Sequence, residues 1–178
     1  MGIEQDTAES PDGRAAAPGR PSHSRTLGRL VQGKNINEET LLATDYLNHF
    51  IEIIMLIDMV PVMPECLADA KAWVPKSYEA HFQDSAFIDK DLAVLAYRNA
   101  PLEFRVPFDD TIDRMNALVA VGLRELEAAV ATRHQGRIEL AVTGVSRRLQ
   151  SYIDKASAII HGNTGTMDQS AVDAILNG

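Results

Sequence analysis

TIDRMNALVAVGLRELEAAVATRHQGRIELAVTGVSRRLQSYIDKASAII, residues 111 to 160, decides the fold. Ile112, Met115, Val119, Gly122, Leu126 and Ala129 recur at steps of three and four. So do Ile138, Val142, Val145, Leu149, Tyr152, Ala156 and Ile159. Apolar residues at that spacing form one stripe of an α-helix and the seam of a heptad pattern. The spacing predicts helices over about 110–134, capped by Asp109, and 137–161. Only a short link containing Gly136 separates them, so they form a long antiparallel helical hairpin. Gly122 and Ala129 let the two backbones approach closely, and His161-Gly162 ends the second helix on a glycine.

Upstream, Asn37 followed by Glu38 and Glu39 reads as the capped start of a helix running to Val60, where Pro61 stops it. From Phe50 that helix is apolar nearly all round, which places Glu52 in a buried stretch. A buried carboxylate needs a partner, and His81, Arg98 and Arg105 are the candidates. Short helices follow over about 64–73 and 76–83. A third, capped by Asp84 or Ser85, carries Phe87, Ile88, Leu92, Leu95 and Ala96. Leu102 to Phe108 contains Pro107 and reads as an extended connection. The fold class is all-α, a helical bundle, with domain limits at 1–34 (a disordered basic arm), 35–162 (the bundle) and 163–178 (a hinge and a short amphipathic helix).

Composition narrows function. Of 178 residues, 46% are hydrophobic and 6% aromatic, which suits helices packed on helices. The net charge is −8. The first 34 residues carry five bases and four acids, leaving the rest with 12 bases against 21 acids. An acidic body argues against nucleic-acid binding. No apolar run reaches the roughly 20 residues of a membrane span. No secretory leader is visible, so a cytoplasmic location is expected. The single cysteine, Cys66, excludes an internal disulfide and reads as a small buried hydrophobe. The long seams make a homodimer reasonable. Gly-rich phosphate loops, nucleophile elbows and HExxH pairs are missing, and no cofactor is implied.

MDQSAVDAILNG, residues 167 to 178, ends the chain. Val172, Ile175 and Leu176 form a two-turn apolar stripe that Asp168 can cap, too short to stand alone in water. The peptide resembles the N-terminal segment of the flagellar switch protein FliM, typically LSQAEIDALLNG. Gln169, Asp173, Ala174, Leu176, Asn177 and Gly178 coincide in register. A related helix closes the chemotaxis phosphatase CheZ. The resemblance implies that this tail docks on a CheY-like receiver domain, folding on contact, and that the protein is a chemotaxis or motility adaptor. It implies partner-binding roles for Asp168, Gln169, Val172, Asp173, Ile175 and Leu176. A terminal helix packed on its own bundle is the competing reading.

Two further constellations bear on chemistry. Asp113 and Asn116, like Asp45 and Asn48, put an acid and an amide at i, i+3 on one helix face. The first pair is similar to the acid–amide pair of CheC-type receiver phosphatases, which implies Asp113 and Asn116 as catalytic residues of an alternative, enzymatic reading. His49 and Glu52 share a stripe with Asp45, and His81 lies on a nearby segment. Carboxylates and imidazoles projecting into a bundle can hold iron or manganese, so a metal-binding bundle is a third reading. A purely structural, oligomerising bundle is the fourth.

Overall fold

A computed structural model of the chain describes residues 22–163. Among the described residues there are seven α-helices and no strand. They are α1 (Ser22–Leu30), α2 (Asn48–Met59), α3 (Cys66–Ala72), α4 (Tyr78–Asp84), α5 (Lys90–Arg98), α6 (Leu102–Ala131) and α7 (Gln135–Ile160). One turn of 3-10 helix, Thr44–Leu47, leads into α2. The all-α expectation holds. No helix among these residues is long and apolar enough to cross a membrane.

The two heptad seams are where the sequence places them. Ile112, Met115, Val119, Gly122 and Leu126 on α6 are buried, as are Ile138, Val142, Val145, Leu149, Ala156 and Ile159 on α7. Ala129 and Tyr152 pack against this core from its margin. Early residues of α6 meet late residues of α7: Pro107, Thr111, Tyr152 and Ile159 line one crevice. Further along, a Cβ added to Gly122 would stand 2.6 Å from a methyl of Val145. Glycine is what permits that approach. Exposed ion pairs, Glu125 with Arg148 and Lys71 with Glu127, run beside these contacts. Such pairs are each worth about 0–1 kcal/mol, so the apolar seam dominates.

Helix α6 is longer than expected, and its extra length corrects the extended reading of Leu102 to Phe108. Pro107 lies inside the helix. A proline there forfeits one hydrogen bond, to the carbonyl of Glu103. Phe104 and Phe108, one turn apart and both buried, anchor this segment as helix. Asp109 is therefore a mid-helix residue rather than a cap.

The expected helix from Asn37 to Val60 is also corrected. The Asn37 side chain does cap, accepting from the N–H groups of Glu39 and Thr40 at 2.8 and 2.9 Å. The turn it starts is then broken at Leu41, whose φ is 60°. The helix proper begins at Asn48. Its inner face is His49, Phe50, Ile53, Ile54 and Ile57. Ile51, Glu52, Met55 and Met59 face outward, with Met55 63% exposed. Glu52 is thus on the surface, not buried. Of its expected partners, Arg98 pairs with Glu79 and Arg105 donates to the Arg98 carbonyl at 3.1 Å.

Ser77 caps α4 by accepting from Ala80 N–H at 3.1 Å. Ser85 accepts from Phe87 N–H at 3.2 Å, yet α5 starts only at Lys90, and Ile88 is 95% exposed. Cys66 is buried, as expected. Residues 22–34 depart from the disordered arm: α1 forms there, and Leu27, Val31 and Ile36 join the core. Lys34 pairs with Asp89 at 3.0 Å.

The C-terminal end of α7 is tied to the chain before α2. Buried Thr40 donates its hydroxyl to the Ile160 carbonyl at 2.7 Å. Gly162 adopts φ 86°, and the N–H groups of Gly162 and Asn163 donate to the carbonyls of Ile159 and Ala158 at 2.9 Å. This is the glycine-terminated helix cap the sequence predicts.

Candidate functional site

Asp113 and Asn116 both line one cleft of about 320 Å³. Its floor is built from remote segments: Tyr46 from the 3-10 turn, Lys76 and Ser77 from the link before α4, Tyr78 from α4, and Tyr97 from α5. Helix α6 supplies Phe108, Asp109, Ile112, Asp113 and Asn116. The aromatic groups hold one another. Tyr78 and Tyr97 stack at 4.3 Å, and Tyr46 lies 5.1 Å from Tyr78 and 6.0 Å from Phe108.

The hydroxyls fix the strands of chain around the cleft. Tyr46 donates to the Lys76 carbonyl at 2.7 Å. Ala43 N–H donates to the Tyr78 hydroxyl at 2.8 Å. Tyr97 donates to Asp109 Oδ1 at 2.8 Å. Burial pushes all three phenols above their ordinary 10.0, so they stay protonated. Burial also raises the Asp109 carboxyl, and the charge of Asp113 adds to it; the Tyr97 hydroxyl and Arg105 oppose them. Asp113 is exposed at the rim. The side-chain oxygen of Asn116 is buried and no protein group donates to it. A buried acceptor in that state is uncommon.

The other acid–amide pair, Asp45 and Asn48, lines a more open depression with Asn35, Ile51 and Asp154. His49, Glu52 and His81 share a third, shallow cleft of about 220 Å³ with Lys76 and Asp84. They do not assemble as metal ligands there. Among the described residues no group of three or more His, Cys, Asp or Glu is placed to hold a metal ion. His49 is instead a packing residue. Its ring stacks on Trp73 at 4.4 Å, its Nε2 accepts from Lys76 N–H at 3.2 Å, and its carbonyl accepts from the Trp73 indole at 3.2 Å.

Burial lowers both imidazoles below the ordinary 6.5. His49 is lowered further by neighbouring His81, and the Lys76 charge acts the same way on both rings. The unfolded chain therefore binds more protons than the native one as pH falls through 6.5, and stability is lost progressively toward the lower native values. Between pH 7 and 5 the melting temperature is expected to fall. A His49→Gln variant, which keeps an acceptor for Lys76 N–H, should show a shallower fall. Parallel curves for the two proteins would assign the acid sensitivity elsewhere.

The expected partner-binding residues Asp168, Gln169, Val172, Asp173, Ile175 and Leu176 lie outside the described residues. The signal for the cleft in the sequence was limited to the i, i+3 pair on α6. Asp109, one turn before Asp113, has the local sequence of a cap, and the three tyrosines come from separate elements. No family model matches the chain, and neither a curated protein nor a solved structure matches it.

Proposed function

We propose that this protein is a signalling adaptor of the chemotaxis or motility type, which binds a CheY-like receiver domain through residues 168–176. The observation that carries the reading is the in-register likeness of residues 167–178 to the receiver-binding FliM peptide, with an apolar Val172-Ile175-Leu176 stripe flanked by Asp168 and Asp173. Short amphipathic helices that fold on contact bind grooves through such i, i+3, i+4 anchors. The end of α7 is compatible with it. The helix is closed by a cap at Gly162 and Asn163, a few residues before the peptide begins. In this reading the antiparallel pair of α6 and α7 is the rigid body from which the peptide is presented.

The phosphatase alternative, with Asp113 and Asn116 as catalytic residues, has one point in its favour: both line the same cleft. Against it, an amide that orients water inside another protein's active site has to project from the surface. The Asn116 oxygen is buried. The adaptor reading is therefore preferred.

The test compares the full chain with one ending at Thr166, using a CheY-type receiver with and without beryllofluoride as a phosphoryl mimic. Binding by the full chain, lost on truncation at an unchanged melting temperature, is the expected result. A full chain that ignores both forms of the receiver, or a truncation that destabilises the bundle, would overturn the proposal.

A further inference from the structure

Helix α2 is apolar on two sides. Phe50, Ile53, Ile54 and Ile57 face the core, while Ile51, Met55 and Met59 are exposed on the opposite face. The chain keeps helical register past Met59, whose carbonyl accepts from the N–H groups of Val62 and Met63 at 3.1 and 2.8 Å. Val62, 76% exposed, and exposed Met63 therefore extend the row. Steps of four, four and three residues put Ile51, Met55, Met59 and Val62 on one stripe, about 16 Å long from the helical rise. Exposed apolar residues scattered singly are ordinary. A contiguous row marks an interaction surface, and a helix apolar all round is normally covered on both sides. Methionine suits such a surface, because its unbranched thioether adapts to the shape it meets.

The charge around the row is of one sign. Between Lys34 and Lys71 the sequence has seven Asp or Glu and no Lys or Arg. Glu52 and Asp58 lie on α2 itself and Glu65 just beyond Met63, all three exposed. Helix α7, which flanks α2, adds Glu139 and Asp154. Glu139 accepts from Gln135, whose amide also reaches the Pro61 carbonyl, and Asp154 shares a depression with Ile51. The nearby lysines are engaged: Lys34 with Asp89, Lys71 with Glu127, and Lys76 with Asp84.

We propose that the outer face of α2 is a docking surface for a basic amphipathic helix of another protein. Its apolar residues pack on the Ile51–Met55–Met59–Val62 row, and its Lys or Arg side chains meet Glu52, Asp58 and Glu65. Charge complementarity selects this occupant. A second copy of the chain sets the acidic rim against itself. The chain's own tail, residues 164–178, brings Asp168 and Asp173 and no base. Residues 1–21 bring four acids against two bases, with no apolar period. Nucleic acids and anionic bilayers are repelled by the same rim. A helix carrying both an apolar stripe and cations matches the face on both counts.

The surface is independent of the receiver-binding tail, and its test uses the full chain. The probe is a fluorescent peptide of leucine and lysine, with leucines at helical i, i+3, i+4, i+7 spacing, followed by anisotropy. Two controls replace lysine by glutamate or scramble the leucine spacing. The Leu/Lys peptide is expected to bind, less tightly as salt rises, with both controls at least tenfold weaker. The triple variant Ile51→Gln/Met55→Gln/Met59→Gln should weaken it at least tenfold. So should Glu52→Lys/Glu65→Lys, which leaves the apolar row intact. Leu102→Gln/Val106→Gln, which removes exposed apolar residues of α6, should bind like the wild type. Circular dichroism verifies that each variant is folded. No binding of the Leu/Lys peptide, equal binding of either control, or wild-type affinity in both the row and the charge variants would overturn the proposal. A dimer in sedimentation equilibrium that the triple variant dissociates would also overturn it, by making a second copy the occupant. Peptide binding confined to a chain ending at Thr166 would do the same, by making the tail the occupant.

Discussion

Tyr78→Ala is expected to destabilise the bundle by about 3–5 kcal/mol for the lost ring, with about 1–3 kcal/mol more for the amide it orphans. The ring is buried against Tyr97, Phe82, Tyr46 and Phe108, which belong to four different segments. Its hydroxyl takes the N–H of Ala43, the residue that follows the turn broken at Leu41. Small domains have only about 5–15 kcal/mol of stability in total, so this variant should be largely unfolded in modest urea. Tyr78→Phe separates the two contributions. It keeps the stacking and loses the acceptor, and should cost only the smaller amount. Urea midpoints for the three proteins measure both. A Phe variant as damaging as the Ala variant would mean that the ring packing contributes nothing, against the contacts seen here.

Gly122→Val is the second severe change. The added Cβ would sit 2.6 Å from one methyl of Val145 and 3.2 Å from the other, and two more methyls would follow it. Overpacking a close helix contact costs about 1–3 kcal/mol, sometimes more. A valine side chain has little rotamer freedom with which to yield, so the upper end or beyond is expected. Intrinsic helix preference works the other way, by a few tenths of a kcal/mol, and does not reverse the sign. The partner change Val145→Ala makes room. The double variant should therefore recover part of the loss, and a double-mutant cycle by denaturant unfolding gives the coupling. Strict additivity would show that the two residues do not meet in solution.

Both residues bear on what a reader of the sequence could see. The α6–α7 seams were legible because their apolar spacing is periodic over many turns, and Gly122 stands out within that period as the point of close approach. Tyr78 was visible only as an aromatic residue in a short helix. Its role depends on Ala43, Tyr97 and Phe108, which the chain path brings together from a distance.

The misreadings have the same origin. Pro107 suggests a break when only neighbours in sequence are considered; buried Phe104 and Phe108 outweigh one missing hydrogen bond. Residues 50–60 are so apolar that their sequence alone predicts burial for Glu52. The helix has an outer face, and Ile51, Met55 and Met59 occupy it alongside Glu52. In and just after helix α1, Leu27 and Val31 turn inward, too short a series to show a period. For the site, the Asp113–Asn116 pairing was readable from spacing alone, whereas the aromatic wall and the Lys76–Asp84 pairing were not.

The Thr40–Ile160 hydrogen bond has a mechanical corollary. Chain entering at the Asn37 turn and chain leaving at Asn163 are clamped side by side, so anything that grips the polypeptide past Asn163 pulls at this junction first. Thr40 and the Leu41 kink would share that load with the last turn of α7, whose Ile159 and Ile160 belong to the core. Such a junction would spread the pull over two segments, as a collar does where a cable meets its housing.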